Sequence, residues 1–161
     1  MRAIVQRVSW AEVEVNGKRA ARIARGLVVY VGIASSDTQS DAEKLAEKIA
    51  GLRIFPDEAG KLNSCVRDAR GGVLAIPNFT LLADARKGRR PAFDSAATAQ
   101  VAEPLYHAFV SALRERGCTP ECGVFGADMR ILSQADGPVN IILDTPPRQD
   151  DTPPGVQEAP D

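Results

Sequence analysis

Apolar and polar residues alternate from Arg2 to Val8 and again from Ala11 to Val15, the period-2 pattern of half-buried strands. Asn16-Gly17 then falls between Val15 and Lys18, a two-residue hairpin signal, and a strand is predicted over 18–24. The run GLVVYVGIA, residues 26–34, is apolar and rich in β-branched residues without alternation, which predicts a strand buried on both faces. The period then changes. Leu45, Ile49 and Leu52 share one face of a helix predicted over 38–52, with Glu43, Lys44, Glu47 and Lys48 off that face and Asp37 or Ser40 available as its cap. A turn-rich segment at 55–61 leads to renewed strand character over 72–82. A second helix is predicted over 98–116, with Val101, Leu105, Ala108, Ala112 and Leu113 as its buried stripe. Pro104 is expected in or near its first turn and Gly117 at its end. Two closing strands, about 123–134 and 138–144, flank the stretch ADGPVN. Asp-Gly and Gly-Pro are turn signals, so these six residues alone read as a hairpin turn. A cis bond before Pro138 has a base frequency of only about one in twenty.

These elements predict an α+β fold: a mostly antiparallel, β-barrel-like sheet with two covering helices. A chain of 161 residues suits one domain with a real core, and 44% apolar and 25% charged residues are ordinary for a globular protein. The longest apolar run is too short for a membrane span, and the start MRAIVQRV lacks the features of a secretory leader. The expectation is a cytoplasmic protein with no membrane partner. Cys65, Cys118 and Cys122 are too few and too irregular for a disulfide framework and lack a second ligand pair. No metal site is expected, and buried or half-buried thiols are. The net charge is −1, but residues 146–161 hold five prolines, four acids and one Arg, so the rest of the chain is near +2. A domain over 1–145 and a disordered Pro- and acid-rich tail are predicted.

Candidate chemistry is bounded first by what is missing. The one histidine, His107, lies two residues past Leu105, about 200° round the second helix and opposite its apolar stripe. It is expected in solvent, which disfavours a Ser-His-Asp or Cys-His arrangement. Neither glycine-rich phosphate fingerprint is present, and no cofactor is expected. Asp84, Asp94, Asp128 and Asp136 lie near turns, where Asp usually accepts main-chain hydrogen bonds. One stretch is unusual: after Ile76-Pro77-Asn78-Phe79-Thr80-Leu81 come Arg86, Lys87, Arg89 and Arg90 within five positions. The cluster reads either as a solvated loop or as a phosphate-binding segment that positions a nucleic acid.

Five pieces, in order, carry a family resemblance: MRAIVQRVSWAEVEV, LRIFPDEAGKLNSCV, NFTLLADARKGRRPAF, GVFGADM and DGPVN. Together they resemble the D-aminoacyl-tRNA deacylase family over about residues 1–145. The resemblance implies a cytoplasmic homodimer that hydrolyses the ester between a D-amino acid and the terminal ribose of tRNA, and also glycyl-tRNA mischarged on tRNA(Ala). It implies that Gly137-Pro138 is cis and enters the active site of the other subunit as a filter against L-amino acids. By the same resemblance, main-chain N–H groups of Phe79 and Thr80 are the oxyanion donors. Gly137, Pro138, Val139, Asn78, Met129 and Arg7 form the substrate-binding set, with Arg7 holding the Gly-Pro loop and Met129 on the pocket wall. Arg86, Lys87, Arg89 and Arg90 are the tRNA-binding set for the acceptor end. The tRNA's own 2′-hydroxyl is implied to assist the attack, with a Thr80 nucleophile as the alternative. The chain departs from the family pattern at Pro77, Asn78, Ala135 and Asn140. Pro77 resembles the sister branch that removes L-alanine from tRNA, whereas Phe79 and Val139 resemble the D-specific branch. Sister-branch editing and a tRNA-acceptor binding protein with a decayed site are the alternative functions.

Overall fold

The computed structural model describes residues 1–86 and 88–145. Lys87 and the predicted tail at 146–161 lie outside the described residues. The alternating N-terminal segment is one long strand, β1 (Arg2–Val15), rather than two. A tight turn follows, with Asn16 and Gly17 both at positive φ, and leads to β2 (Lys18–Ile23) and β3 (Gly26–Gly32). β2 pairs with the far half of β1 and β3 with its near half, both antiparallel. Helix α1 (Gln39–Ala50) starts at Thr38 rather than at Asp37 or Ser40. Thr38 donates its N–H and its hydroxyl to the buried Asp41 carboxylate, while Asp37 accepts from the Ala34 N–H instead.

The turn-rich segment forms a small hairpin of β4 (Phe55–Pro56) and β5 (Leu62–Ser64). β6 (Gly72–Pro77) and β7 (Pro120–Cys122) then extend the main sheet with parallel ladders, so the sheet is mixed, its antiparallel ladders on β1 joined by two parallel ones. Parallel pairing follows from the chain order, since α1 and α2 (Ala99–Glu115) serve as crossovers between these strands. α2 ends in a Schellman motif: Cys118 N–H donates to Leu113 O and Gly117, at φ 77°, to Arg114 O. Pro104 sits in the second turn of α2 rather than the first. The buried face is also shifted by about one residue, to Ala102, Tyr106, Phe109, Val110, Ala112 and Leu113, leaving Val101 44% exposed. His107 is exposed, as its helical position predicts.

The sheet divides its two faces between two cores. Leu27, Val29 and Val31 of β3, with Val73 and Ala75 of β6, pack against the helices. Val28, Leu74 and Ile76 turn the other way, toward Val8, Ala11 and Val13 of β1, filling the inside of a sheet nearly closed as a barrel. β1 changes face at an extra residue, Ser9, between the pairs Val8–Ala135 and Trp10–Gln134.

Its partner there is β8 (Arg130–Asp144), which runs antiparallel to β1 along its whole length. This overturns the hairpin reading of ADGPVN. A hairpin reverses direction, yet residues on both sides of the Gly-Pro pair continue along the same edge of β1. Gln6 pairs with Asn140 and Val8 with Ala135, so four residues, 136–139, stand opposite Arg7 alone. They form a protrusion from one strand, and the Gly137–Pro138 bond within it is cis. Residues 123–129, predicted as strand, are a turn-rich connection before β8. None of the described helices is long and apolar enough to cross a membrane.

Candidate active site

The Phe-Thr motif occupies the place where β6 stops. Pro77 has no N–H to continue a ladder, and Asn78 N–H makes one last bond, to Val31 O at 2.8 Å. The chain then winds into a 3-10 helix, Phe79–Leu82, where strand was predicted. Asn78 drives the change. From its N-cap position its Oδ1 accepts from the Thr80 N–H at 3.2 Å and the Thr80 hydroxyl at 2.5 Å. Gly32 lets the turn lie close over β3, because a Cβ there would come within 3.1 Å of Asn78 O.

This turn forms one wall of a cleft of about 350 Å³. Asn78, Phe79 and Thr80 face Met129 across it, so four of the sequence-derived site residues come together. Tyr30, Asp128 and Ile131 also line it and were missed. Tyr30 had a legible signal, since it alternates with Val29 and Val31 on β3, but an uninterrupted apolar run hides which face matters. Burial pushes the Tyr30 phenol up, so it is a neutral donor at neutral pH rather than a base. Thr80 gives its hydroxyl hydrogen to an amide oxygen, which is no base, and His107 lies on α2 with Glu103 as its neighbour at 4.0 Å. A second, apolar hollow of about 220 Å³ opens on the other side of Pro77–Phe79, against Phe125 and Ala102.

A second group gathers around Arg7. Its guanidinium is buried, donating from Nε to Asp136 O at 3.2 Å and from Nη1 to Ile54 O at 2.6 Å. Nε also lies 3.1 Å from the Asp136 carboxylate. Arg7 thus ties the protruding loop to the segment after α1. On the preceding residue of β1, the Gln6 side chain donates to Asn140 Oδ1 at 3.0 Å. Gly137 adopts φ 125°, and a Cβ there would meet Val139 N at 2.9 Å, so no other residue fits without movement. Gly137 and Pro138 are exposed, while Val139 packs toward the helix-side core. None of Arg7, Gly137, Pro138 and Val139 lines the Phe-Thr cleft of its own chain.

The basic segment is a third place. Arg86, Arg89 and Arg90 are exposed, on a loop closed by paired main-chain bonds between Asp84 and Ala92 at 2.8 and 2.9 Å. Arg86 is already matched, with Nε and Nη2 donating to the two Asp84 oxygens at 2.9 and 2.6 Å. That fork, with the Arg86 N–H, holds the Asp84 carboxyl down at about 2. Among the described residues Arg89 and Arg90 have no ion-pair partner, so there they carry the unmatched charge. The three cysteines are free: Cys65 and Cys118 are buried and Cys122 is half-buried.

Residues 4–144 match the family model described as D-Tyr-tRNA(Tyr) deacylase. A D-aminoacyl-tRNA deacylase of Geobacter sulfurreducens is 49% identical over 152 residues, 94% of this chain and 100% of the relative. One of Sorangium cellulosum is 53% identical over 146 residues, 90% and 97% of the two chains. Among solved structures, a c-Myc DNA unwinding element binding protein superposes with a TM-score of 0.86 at 40% identity, over 91% of this chain and 100% of that one. A match over nearly the whole described domain at about half identity leaves one assignment: the chain belongs to the D-Tyr-tRNA(Tyr) deacylase family.

Proposed function

We propose that the protein hydrolyses the ester of D-aminoacyl-tRNA, releasing free amino acid and tRNA, and that it spares the L-ester by a filter built from main chain. The observation that carries this is the separation of the two motifs. The Asn78–Thr80 turn lines a cleft, whereas the Gly137-Pro138 loop is exposed, firmly anchored and outside that cleft. A loop so placed suits a site on a second copy of the chain. β8 supports the same reading, because it pairs only with β1 among the described strands and leaves a long outer edge with Ile142 68% exposed. In the homodimer of this proposal, each loop completes the cleft of the other subunit.

Carbonyl groups of the loop then receive the substrate's α-amino group and fill the space an L side chain requires. This is rejection by exclusion, so it does not reject glycine, which lacks the excluded group. Glycyl-tRNA, including glycine mischarged on tRNA(Ala), is therefore also a substrate. Water adds to the ester carbonyl, and the oxyanion is held by the N–H groups of Phe79 and Thr80. The Thr80 N–H exchanges its long bond to Asn78 for the stronger charged acceptor. The C–O bond to the terminal ribose then breaks and the ribose hydroxyl leaves with a proton. The vicinal 2′-hydroxyl of the tRNA assists the attack, in keeping with a Thr80 hydroxyl that donates to an amide oxygen rather than to a base. Arg89 and Arg90, with Arg86 and Lys87, hold acceptor-end phosphates.

The test sets D-tyrosyl-, L-tyrosyl- and glycyl-tRNA side by side with the purified protein. Loss of the D- and glycyl esters with survival of the L-ester is the expected outcome. Loss of L-alanyl-tRNA with poor D-ester cleavage would instead indicate sister-branch editing. Binding of tRNA without turnover would indicate a decayed site.

A further inference from the structure

Phe79 and Phe93 are the anomalous aromatics of this chain. Phe79 is 58% exposed and Phe93 37%, whereas Phe55 and Phe109 are fully buried. The exposed pair is nonetheless ordered against itself, with ring centroids 5.2 Å apart and planes at 62°, an edge-to-face contact. Its position is set on both sides. Phe79 belongs to the 3-10 helix and borders the cleft. Phe93 leaves the stem that Asp84 and Ala92 close, directly after the arginine segment. The Ser95 hydroxyl pins that stem to the 3-10 helix by donating to Leu82 O at 3.0 Å. The rings thus link the cleft, through Phe79, to the stem of the loop that carries Arg89 and Arg90, through Phe93.

Aromatic surface held open beside unpaired cations suits single-stranded nucleic acid, whose bases stack while its phosphates pair with Arg. We infer that the Phe79–Phe93 pair is a stacking platform for the unpaired base preceding the terminal nucleotide of the tRNA acceptor end. The inference rests on the reading of the cleft as the place where the terminal ribose ester is cut. If the last nucleotide occupies the cleft, the preceding one leaves it past Phe79, and the backbone beyond runs toward the arginines. An exposed Phe pair also suits a subunit contact, but the adjacent uncompensated positive charge favours a polyanion over a second copy of the same chain.

The experiment compares wild type with Phe93→Leu and Phe93→Trp. Leu keeps apolar volume without a π-face, and Trp keeps the face. Two ratios are read: kcat/KM on D-tyrosyl-tRNA against D-tyrosyl-adenosine, which has no preceding base, and Kd for intact uncharged tRNA against tRNA shortened past its unpaired 3′ end. In Phe93→Leu the kcat/KM ratio is expected to fall and the Kd ratio to rise, each about tenfold or more, and both to hold in Phe93→Trp, as the loss of one stacked base requires. Unaltered ratios, equal losses on both members of each pair, or equal behaviour of Leu and Trp would overturn the platform. A shift in sedimentation of Phe93→Leu would overturn it in favour of a subunit contact. Wild type that cleaves neither ester while the Kd ratio responds to Phe93→Leu would sink the deacylase reading and leave the platform standing.

Discussion

Two short segments carry the chemistry of the proposed reaction, and they are held in opposite ways. The Asn78–Thr80 turn is self-contained. Its cap comes from a side chain two residues from the group it binds, and its other support is the strand it ends. The 136–139 loop has no such internal frame. It is held by Arg7, 129 positions away in sequence, which also reaches Ile54. Gln6 braces Asn140 from the neighbouring position on β1. A locally capped turn fails locally when its cap is removed. A loop hung on one buried cation fails together with everything that cation joins.

That contrast is exposed to direct attack, most severely through Arg7. Arg7→Ala leaves Ile54 O and Asp136 without their charged donor, and the expected cost is about 2–3 kcal/mol of stability. Loss of D-aminoacyl-tRNA cleavage by about 100-fold is expected beside it, because a displaced loop misplaces the substrate. Urea denaturation and single-turnover deacylation check the two together, and a stable, fully active variant would remove the distinction between the segments. Gly137→Ala comes next. A side chain at φ 125° against Val139 N adds about 1–3 kcal/mol of local strain. Activity should fall at least tenfold by that strain, while the far-ultraviolet spectrum and thermal midpoint move little, since the loop is exposed. A cooperative loss of the whole fold would show that the protrusion is structural.

The turn should respond more mildly. Asn78→Ala removes a cap worth about 1 kcal/mol, and a loss of roughly fivefold in deacylation is expected. Asn78→Asp restores an equivalent cap, so amide exchange at Thr80 should recover with it. Exchange at Thr80 identical in all three proteins would show that the side chain does not hold the turn. The smallest effect concerns pH. Asp84 is depressed to about 2 from 3.8, mainly by its fork with Arg86. Its contribution is therefore present above 3.8 and lost only as the pH falls through about 2. A carboxyl NMR titration should show the Asp84 midpoint near 2, with the loop closed throughout the working range. A midpoint near 3.8 would mean that Arg86 swings free and joins Arg89 and Arg90 as uncompensated charge.

Legibility in the sequence followed the range of the interactions. The turn at Asn16-Gly17 and the end of α2 at Gly117 depend on neighbouring residues, and both were readable. Period alone placed both helices within a residue or two, since each buries one stripe against one sheet. The exact stripe of α2 was not readable, because Val101 and Ala102 are both apolar and the facing sheet chooses between them. Strand parity likewise failed where Ser9 shifts the register of β1, since the extra residue exists only relative to β8.

By itself the sequence determined the α+β class, the two helices, the main strands and, through five ordered motifs, the family. It also placed Asn78, Phe79, Thr80 and Met129 on one list of site residues, and those four share a cleft. Tertiary structure alone decided that ADGPVN is a protrusion from a continuous strand rather than a turn, that Arg7 anchors it, and that, among the described residues, Arg86 is paired with a carboxylate while Arg89 and Arg90 are not. The physical reason is range. A turn signal reports the dihedral preferences of a few residues, which Gly-Pro satisfies in a hairpin and in a protrusion alike. The direction the chain takes afterwards is set by pairing with β1, more than a hundred residues earlier in the chain.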